Sequence, residues 1–275
     1  MDIEKNNFPV AIVTGAGGAL GQAIARKLVS DGMHVVLADI DLEFAPAFEE
    51  SLALAEGQTV FPCKTDMGDP TSIAEMVDAV GEKYRRVDYV VNNAGVSHRG
   101  SLRDFDPAQW DHMMAVNLRG PAVLCQLVAP YWDRQRAGSV VNIASRSWVA
   151  GGPPAYVACK AGLVGLTRSM ARELAPSNVT SNAVAPGLVP SALTMGGRSE
   201  EFFSAMAQSA IDQTPLRRLA SPEDVANTVS FLLSPSASYI TGEVIHVCGG
   251  SQLAPSVGDS RAKAASKSLA NGQLA

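Results

Sequence analysis

Tyr156 and Lys160 stand four residues apart in a stretch, 154–174, whose apolar spacing predicts a helix. At that spacing both side chains share one helical face. A phenol ordinarily titrates near pH ~10, and an ammonium beside it favours the phenolate. The pair therefore suits a general acid/base, which works best when its pKa lies near working pH. Such a group can take a hydroxyl proton while hydride leaves the same carbon, or reverse both steps. Taken alone, the pair reads more readily as a solvated Tyr/Lys couple on a helix surface. Other residues must decide.

A second constellation is Thr14-Gly15-Ala16-Gly17-Gly18-Ala19-Leu20-Gly21. It lies between a short apolar run, Val10-Ala11-Ile12-Val13, and a segment with helical spacing. Small residues let the backbone approach a pyrophosphate, and a helix N-terminus offers N–H groups and the positive end of a dipole. A tight turn without a ligand has the same look. Asp39, at the end of the second apolar run, tips the balance. A carboxylate there accepts hydrogen bonds from ribose hydroxyls and repels a 2′-phosphate. Positions 16–18 hold no basic residue, position 40 is Ile, and Asp41 and Glu43 add negative charge. The reading is NAD rather than NADP, although an ordinary helix-capping Asp would occupy the same position.

These residues need a scaffold. Short apolar runs of strand type (10–14, 34–39, 59–62, 88–92, 139–143, 180–184, 244–247) alternate with helical segments (19–29, 71–84, 106–136, 154–174 and one opening at Ser221-Pro222-Glu223-Asp224). Asp106-Pro107 opens the third helical segment, which is long enough to bend. This alternation predicts an α/β fold: a doubly wound, seven-stranded parallel sheet with helices on both faces, Rossmann-like, in a single domain over residues 1–252. The connection 188–215 is long and glycine-marked, which predicts a substrate loop. Residues 253–275 are rich in Ala, Ser, Gly and Lys and read as a disordered C-terminal tail, with one short helical pattern at 261–269.

Composition excludes several alternatives. The net charge of −5 and the absence of any Lys/Arg run longer than two argue against a nucleic-acid partner. Cys63, Cys125, Cys159 and Cys248 are scattered, with no CxxC pair, so neither a disulfide framework nor a metal site is expected. No apolar run approaches the ~20 residues of a membrane span. Met1-Asp2-Ile3-Glu4-Lys5 lacks a signal-peptide core, and the expected location is the cytoplasm.

In their order and placement, Thr14 to Gly21, Asp66, Asn92-Asn93-Ala94-Gly95, Asn117, Ser145, Tyr156-Val157-Ala158-Cys159-Lys160 and Pro186-Gly187 resemble the short-chain dehydrogenase/reductase family over residues 8–251. The resemblance implies nicotinamide hydride transfer with Tyr156 as acid/base, Ser145 on the substrate oxygen, Lys160 on the nicotinamide ribose and Asn117 holding a relay water. It places Asp66 near the adenine and makes Asn92 to Gly95 a cofactor wall. The implied cofactor contacts are Gly15, Gly17, Gly18, Ala19, Leu20, Gly21, Asp39, Ile40, Asp66, Met67, Asn93, Ala94, Gly95, Tyr156, Lys160, Pro186, Gly187 and Val189. It also implies a homotetramer. Three departures stand out. Ala19 replaces the turn's middle glycine, Cys159 stands where Ser is usual, and the interval from Ser145 to Tyr156 is short, which makes Ser147 a rival serine.

The expected activity is NAD-dependent interconversion of an alcohol and a ketone of small size. Two rivals are an NADPH-dependent 3-oxoacyl-thioester reductase and a non-catalytic NAD-binding sensor. Asp39 speaks against the first, and the retained Tyr156, Lys160 and Ser145 against the second. A sugar-nucleotide epimerase would need a larger C-terminal region. Trp148, Met195, Phe202 and Phe203 are candidates for an apolar substrate pocket and equally for core or interface. Arg146 suits an anionic substrate or an outward-facing position.

Overall fold

Val10–Thr14 (β1) is buried at every position, as a strand covered on both faces must be. The computed structural model describes residues 8–98, 100–197 and 199–253. After β1 come Ala19–Ser30 (α1), His34–Asp39 (β2), Ala45–Glu50 (α2), Val60–Lys64 (β3), Pro70–Tyr84 (α3) and Tyr89–Asn92 (β4). The second half holds Pro107–Met114 (α4), Gly120–Gln135 (α5), Gly138–Ile143 (β5), Ser147–Ala150 (α6), Pro154–Glu173 (α7) and Val179–Pro186 (β6). It ends with Ala192–Met195 (α8), Glu200–Gln213 (α9), Pro222–Leu233 (α10) and Val244–Val247 (β7). The sheet order is β3-β2-β1-β4-β5-β6-β7, and every described pairing is parallel. The fold is a seven-stranded, Rossmann-like single domain.

Alternate strand residues feed two cores. Val13, Leu37, Val91, Val141 and Val184 pack with α1 and α10 on one face. Ile12, Val36, Val90 and Val140 pack with α3 and α5 on the other, where Trp132 is fully buried. The strand order reverses between β1 and β4, and open α/β sheets bind ligands outside the carboxyl ends of strands at such a switch point.

Boundaries moved by a few residues: β3 runs to Lys64 rather than 62, and β6 spans two more residues at its C-terminal end. Two expectations need correction. The predicted helix 106–136 is not continuous α-helix. A five-residue π-helical stretch, Ala115–Arg119, joins α4 to α5. A Cβ on Gly120 would meet the Met67 carbonyl oxygen at 2.3 Å, so the chain just after that stretch presses on the β3–α3 loop. The segment 188–215 is not a plain loop, because α8 and α9 lie within it, each opened by a capping serine, Ser191 and Ser199. The short helix α2 carried too few apolar positions to announce itself. The expected tail, apart from Leu253, and its helical pattern at 261–269 lie outside the described residues.

Candidate active site

The turn after β1 is shaped by glycine. Gly15 has φ +63°, and a Cβ there would lie 2.7 Å from the Ala94 Cα. A Cβ on Gly21 would lie 2.1 Å from the Gly15 carbonyl oxygen, so α1 and the turn touch backbone to backbone. Gly18 caps α1, and no side chain bonds to its first turn. The free amides of that turn suit a phosphate group. Ala19 is the first helical residue, so its methyl group replaces the usual glycine without backbone strain.

Asp39 ends β2 beside this turn. Its Oδ2 accepts the Gly17 amide at 2.8 Å, and its Oδ1 accepts the Asp41 amide at 3.1 Å. A carboxylate offers about four acceptor positions, so room for ribose hydroxyls remains. Asn93 ties the end of β4 to β1: its Nδ2 donates to the Thr14 and Gly15 carbonyls at 2.9 and 3.0 Å. The Thr14 hydroxyl accepts the Asn93 and Ala94 amides, each at 3.0 Å.

A cavity of about 440 Å³ runs from Asp39 to the far ends of β5 and β6. It is lined by Gly15, Gly18, Ala19, Leu20, Gly21, Asp39, Ile40, Asp66, Met67, Asn93, Ala94, Gly95, Ser145, Tyr156, Lys160, Pro186, Gly187 and Val189. The sequence-derived set is thus gathered on one cleft, with three exceptions, one of them Asn92, which is buried within the sheet with its amide on Asn142. Gly17 does not line it. A Cβ there would strike the Phe44 ring at 2.8 Å, so this glycine serves close packing and the bond to Asp39. Asn117 does not line it either. Its amide is occupied at both ends by Val96, accepting from the backbone N and donating to the backbone O, each at 2.8 Å. The Asn117 side chain thus braces Val96 beside Gly95.

At the β5 end, Ser145 lines the cavity and Ser147 does not. Ser147 supports it, its backbone N donating to Ser145 Oγ at 3.2 Å, with the two hydroxyls 3.1 Å apart. Burial pushes the Tyr156 phenol above its ordinary range, and a hydrogen bond with Ser145 opposes that shift. Lys160 is buried; Nζ donates to the Ile143 carbonyl at 2.7 Å, and desolvation pulls its pKa down to about 8. The expectation that the neighbouring ammonium brings the phenol's pKa down is not met in these surroundings, where burial raises it. Burial is the largest influence on each group, and Ser145 is what lowers Tyr156. Lys160 Nζ sits 5.7 Å from the Tyr156 ring centre, on the shared helical face.

Several lining residues escaped the sequence reading: Thr65, Val96, His112, Val116, Ile143, Ala144 and the run Ser191, Ala192, Leu193, Thr194. His112 and Val116 are four apart, one turn of helix beside Asn117, a spacing that was available. The S-x-x-T capping box of α8 was also readable. Trp148, Met195, Phe202 and Phe203 do not line the cavity. Trp148 stacks on His246 and donates to its Nε2 at 3.2 Å. Met195 and Phe202 are exposed, and Leu193 faces the cavity instead. The Arg146 guanidinium reaches the Ser251 carbonyl at 3.4 Å rather than the cavity. Among the described residues no cluster suits a metal, and no helix is long and apolar enough to cross a membrane.

Residues 15–252 match a family model described as enoyl-(acyl carrier protein) reductase. The chain is 36% identical over 245 residues, 89% of itself and 96% of the relative, to the (2S)-[(R)-hydroxy(phenyl)methyl]succinyl-CoA dehydrogenase subunit BbsD of Thauera aromatica. It is 36% identical over 243 residues to the 3-oxoacyl-[acyl-carrier-protein] reductase FabG of Thermotoga maritima, covering 88% of the chain and 96% of that protein. A crystal structure of levodione reductase superposes with a TM-score of 0.85 at 31% identity, covering 90% of this chain and 98% of that one. With likeness of this extent, and with the family's ordered motifs brought to one cleft, the chain belongs to the short-chain dehydrogenase/reductase family of oxidoreductases, which bind a nicotinamide cofactor.

Proposed function

We propose that the protein is an NAD-dependent oxidoreductase that interconverts a small alcohol and its ketone. The observation that carries the cofactor choice is Asp39 at the cavity wall with no basic residue at positions 16–18 or 40. A 2′-phosphate brought there would meet the Asp39 carboxylate, with no basic residue in the turn or at position 40 to offset it. The glycine turn and the uncapped first turn of α1 would hold the pyrophosphate, Asp39 the adenosine ribose, and Asn93 to Gly95 the wall behind the nicotinamide end. When bound, NAD supplies the hydride acceptor.

The remaining chemistry falls to side chains of this chain. Tyr156 takes the hydroxyl proton of the alcohol through its phenol oxygen. Ser145 turns its single hydroxyl hydrogen to the substrate oxygen. Lys160 adds positive charge behind the phenol and orients the ribose. Reduction returns the proton from Tyr156 to the carbonyl oxygen. The segment 188–215, by way of Ser191 to Thr194, closes the substrate end.

A second reading is a 3-oxoacyl-thioester substrate. The names of two relatives support it, one a 3-oxoacyl-[acyl-carrier-protein] reductase and one a dehydrogenase of a substituted succinyl-CoA. The experiment is a substrate screen that follows NADH absorbance over secondary alcohols, ketones and 3-hydroxyacyl and 3-oxoacyl thioesters, each with both dinucleotides. Turnover of simple alcohols with NAD supports the first reading. Turnover confined to thioesters supports the second, and activity with NADPH alone rejects the cofactor assignment.

A further inference from the structure

Three buried polar side chains link the sheet to the helix that carries Tyr156 and Lys160. Asn92 on β4 and Asn142 on β5 are register partners. Asn92 Nδ2 donates to Asn142 Oδ1 at 2.8 Å, Asn142 Nδ2 donates to Thr167 Oγ1 at 2.9 Å, and the Thr167 hydroxyl donates to the Leu163 carbonyl at 2.7 Å. Asn142 and Thr167 have no exposed surface and Asn92 has 2%. The direction of the chain is fixed at its last link. The hydroxyl has one hydrogen, which goes to Leu163, so it can only accept from Asn142. That sets which end of each amide faces which neighbour.

The placement matters because Thr167 lies seven residues, two helical turns, beyond Lys160 on the same face of α7. The next residue of β5, Ile143, accepts the Lys160 ammonium. Two consecutive residues of one strand therefore hold one helix at two points through directional hydrogen bonds. Ser145 follows two residues later on the same strand end. We propose that Thr167, together with Asn142, is a positioning residue: it fixes the register of α7 against β5 and so the placement of Tyr156 against Ser145. The inference rests on the reading of Tyr156 and Ser145 given above.

The test is steady-state kinetics on the full chain with the best substrate from the screen. Thr167→Val keeps shape and removes the acceptor, Thr167→Ser keeps the hydroxyl, and Thr167→Cys keeps a weak acceptor. Displacements of well under an ångström matter to reacting groups, so kcat in Thr167→Val is expected to fall about tenfold or more. Thr167→Ser is expected to restore it to within about threefold of wild type, with Thr167→Cys in between, while NAD affinity stays within about twofold in all three. Val229→Ala, a buried truncation in α10 on the opposite face, serves as a control for lost stability and is expected to keep its kcat at an equal loss of Tm. The inference is overturned if Thr167→Val retains kcat, if Thr167→Ser fails to rescue it, or if Val229→Ala loses as much. Should Thr167→Val not fold, the order wild type, Ser, Cys decides in its place. An inactive wild type would instead reject the functional reading itself.

Discussion

Asp39 Oδ2 accepts the Gly17 amide at 2.8 Å, so one carboxylate both braces the glycine turn and presents charge to the cavity. NAD is expected to bind at least about tenfold more tightly than NADP, since a 2′-phosphate facing a carboxylate is repelled. Asp39→Ala should narrow that gap, mainly by improving NADP. Calorimetric titration of both dinucleotides checks this, and equal affinities in the wild type would refute the role of Asp39.

A hydrogen bond with Ser145 opposes the rise in the Tyr156 pKa that burial causes. Ser145→Ala is therefore expected to move the limb of the kcat pH profile for alcohol oxidation to higher pH. It should also cut turnover by about a hundredfold or more through the lost contact to the substrate oxygen. Ser147→Ala should be mild, because Ser147 only supports its neighbour. The reverse order of severity would assign the catalytic serine to position 147.

Lys160 gives a stability signature with a definite sign. Its pKa of about 8 in the folded protein lies below its ordinary value of 10.5. Between those two values the unfolded chain binds more protons than the folded one, so folding stability rises with pH there. Below pH 8 the cost of burying the charge is fully present. Wild type should gain Tm relative to Lys160→Met as pH goes from 8 towards 10.5. Thermal melts of both proteins across that window test it, and a constant difference would show that Lys160 is not desolvated.

The segment from α8 through α9 is held lightly. None of its described residues from 190 to 213 is fully buried, and Leu193, Met195 and Phe202 are exposed. Sparse burial means a low free energy of local opening. Hydrogen exchange is expected to be fast across 190–213 in the free protein and to slow when NAD and substrate are added together. No change in protection would rule out closure over the substrate.

Much of this was legible in the sequence because strand and helix periods differ. The strands of the sheet, the glycine turn, Asp39, the Tyr156–Lys160 spacing and Ser145 were all readable, and they converge on one cleft. What escaped is tertiary. No local pattern says that Gly17 packs on Phe44 rather than on a ligand. Nor does any pattern show that the 106–136 helix loosens to a π-helix at Asn117, which turns the amide towards Val96. The helices within 188–215 leave little trace in the sequence because their apolar residues, having no core to enter, follow no full helical stripe. The pKa of Tyr156 depends on burial and on a partner eleven residues away, neither of which spacing reveals.

The central claim is that Tyr156 carries the proton in an NAD-dependent hydride transfer. Its most direct test is single-turnover formation of NADH by Tyr156→Phe, with saturating NAD and alcohol, beside NAD titration of the same variant. The substitution removes the transferable proton and keeps the ring. The expected result is a rate at least about a thousandfold below wild type, with NAD affinity within about threefold. A rate near that of wild type would contradict the account and remove Tyr156 from the chemistry.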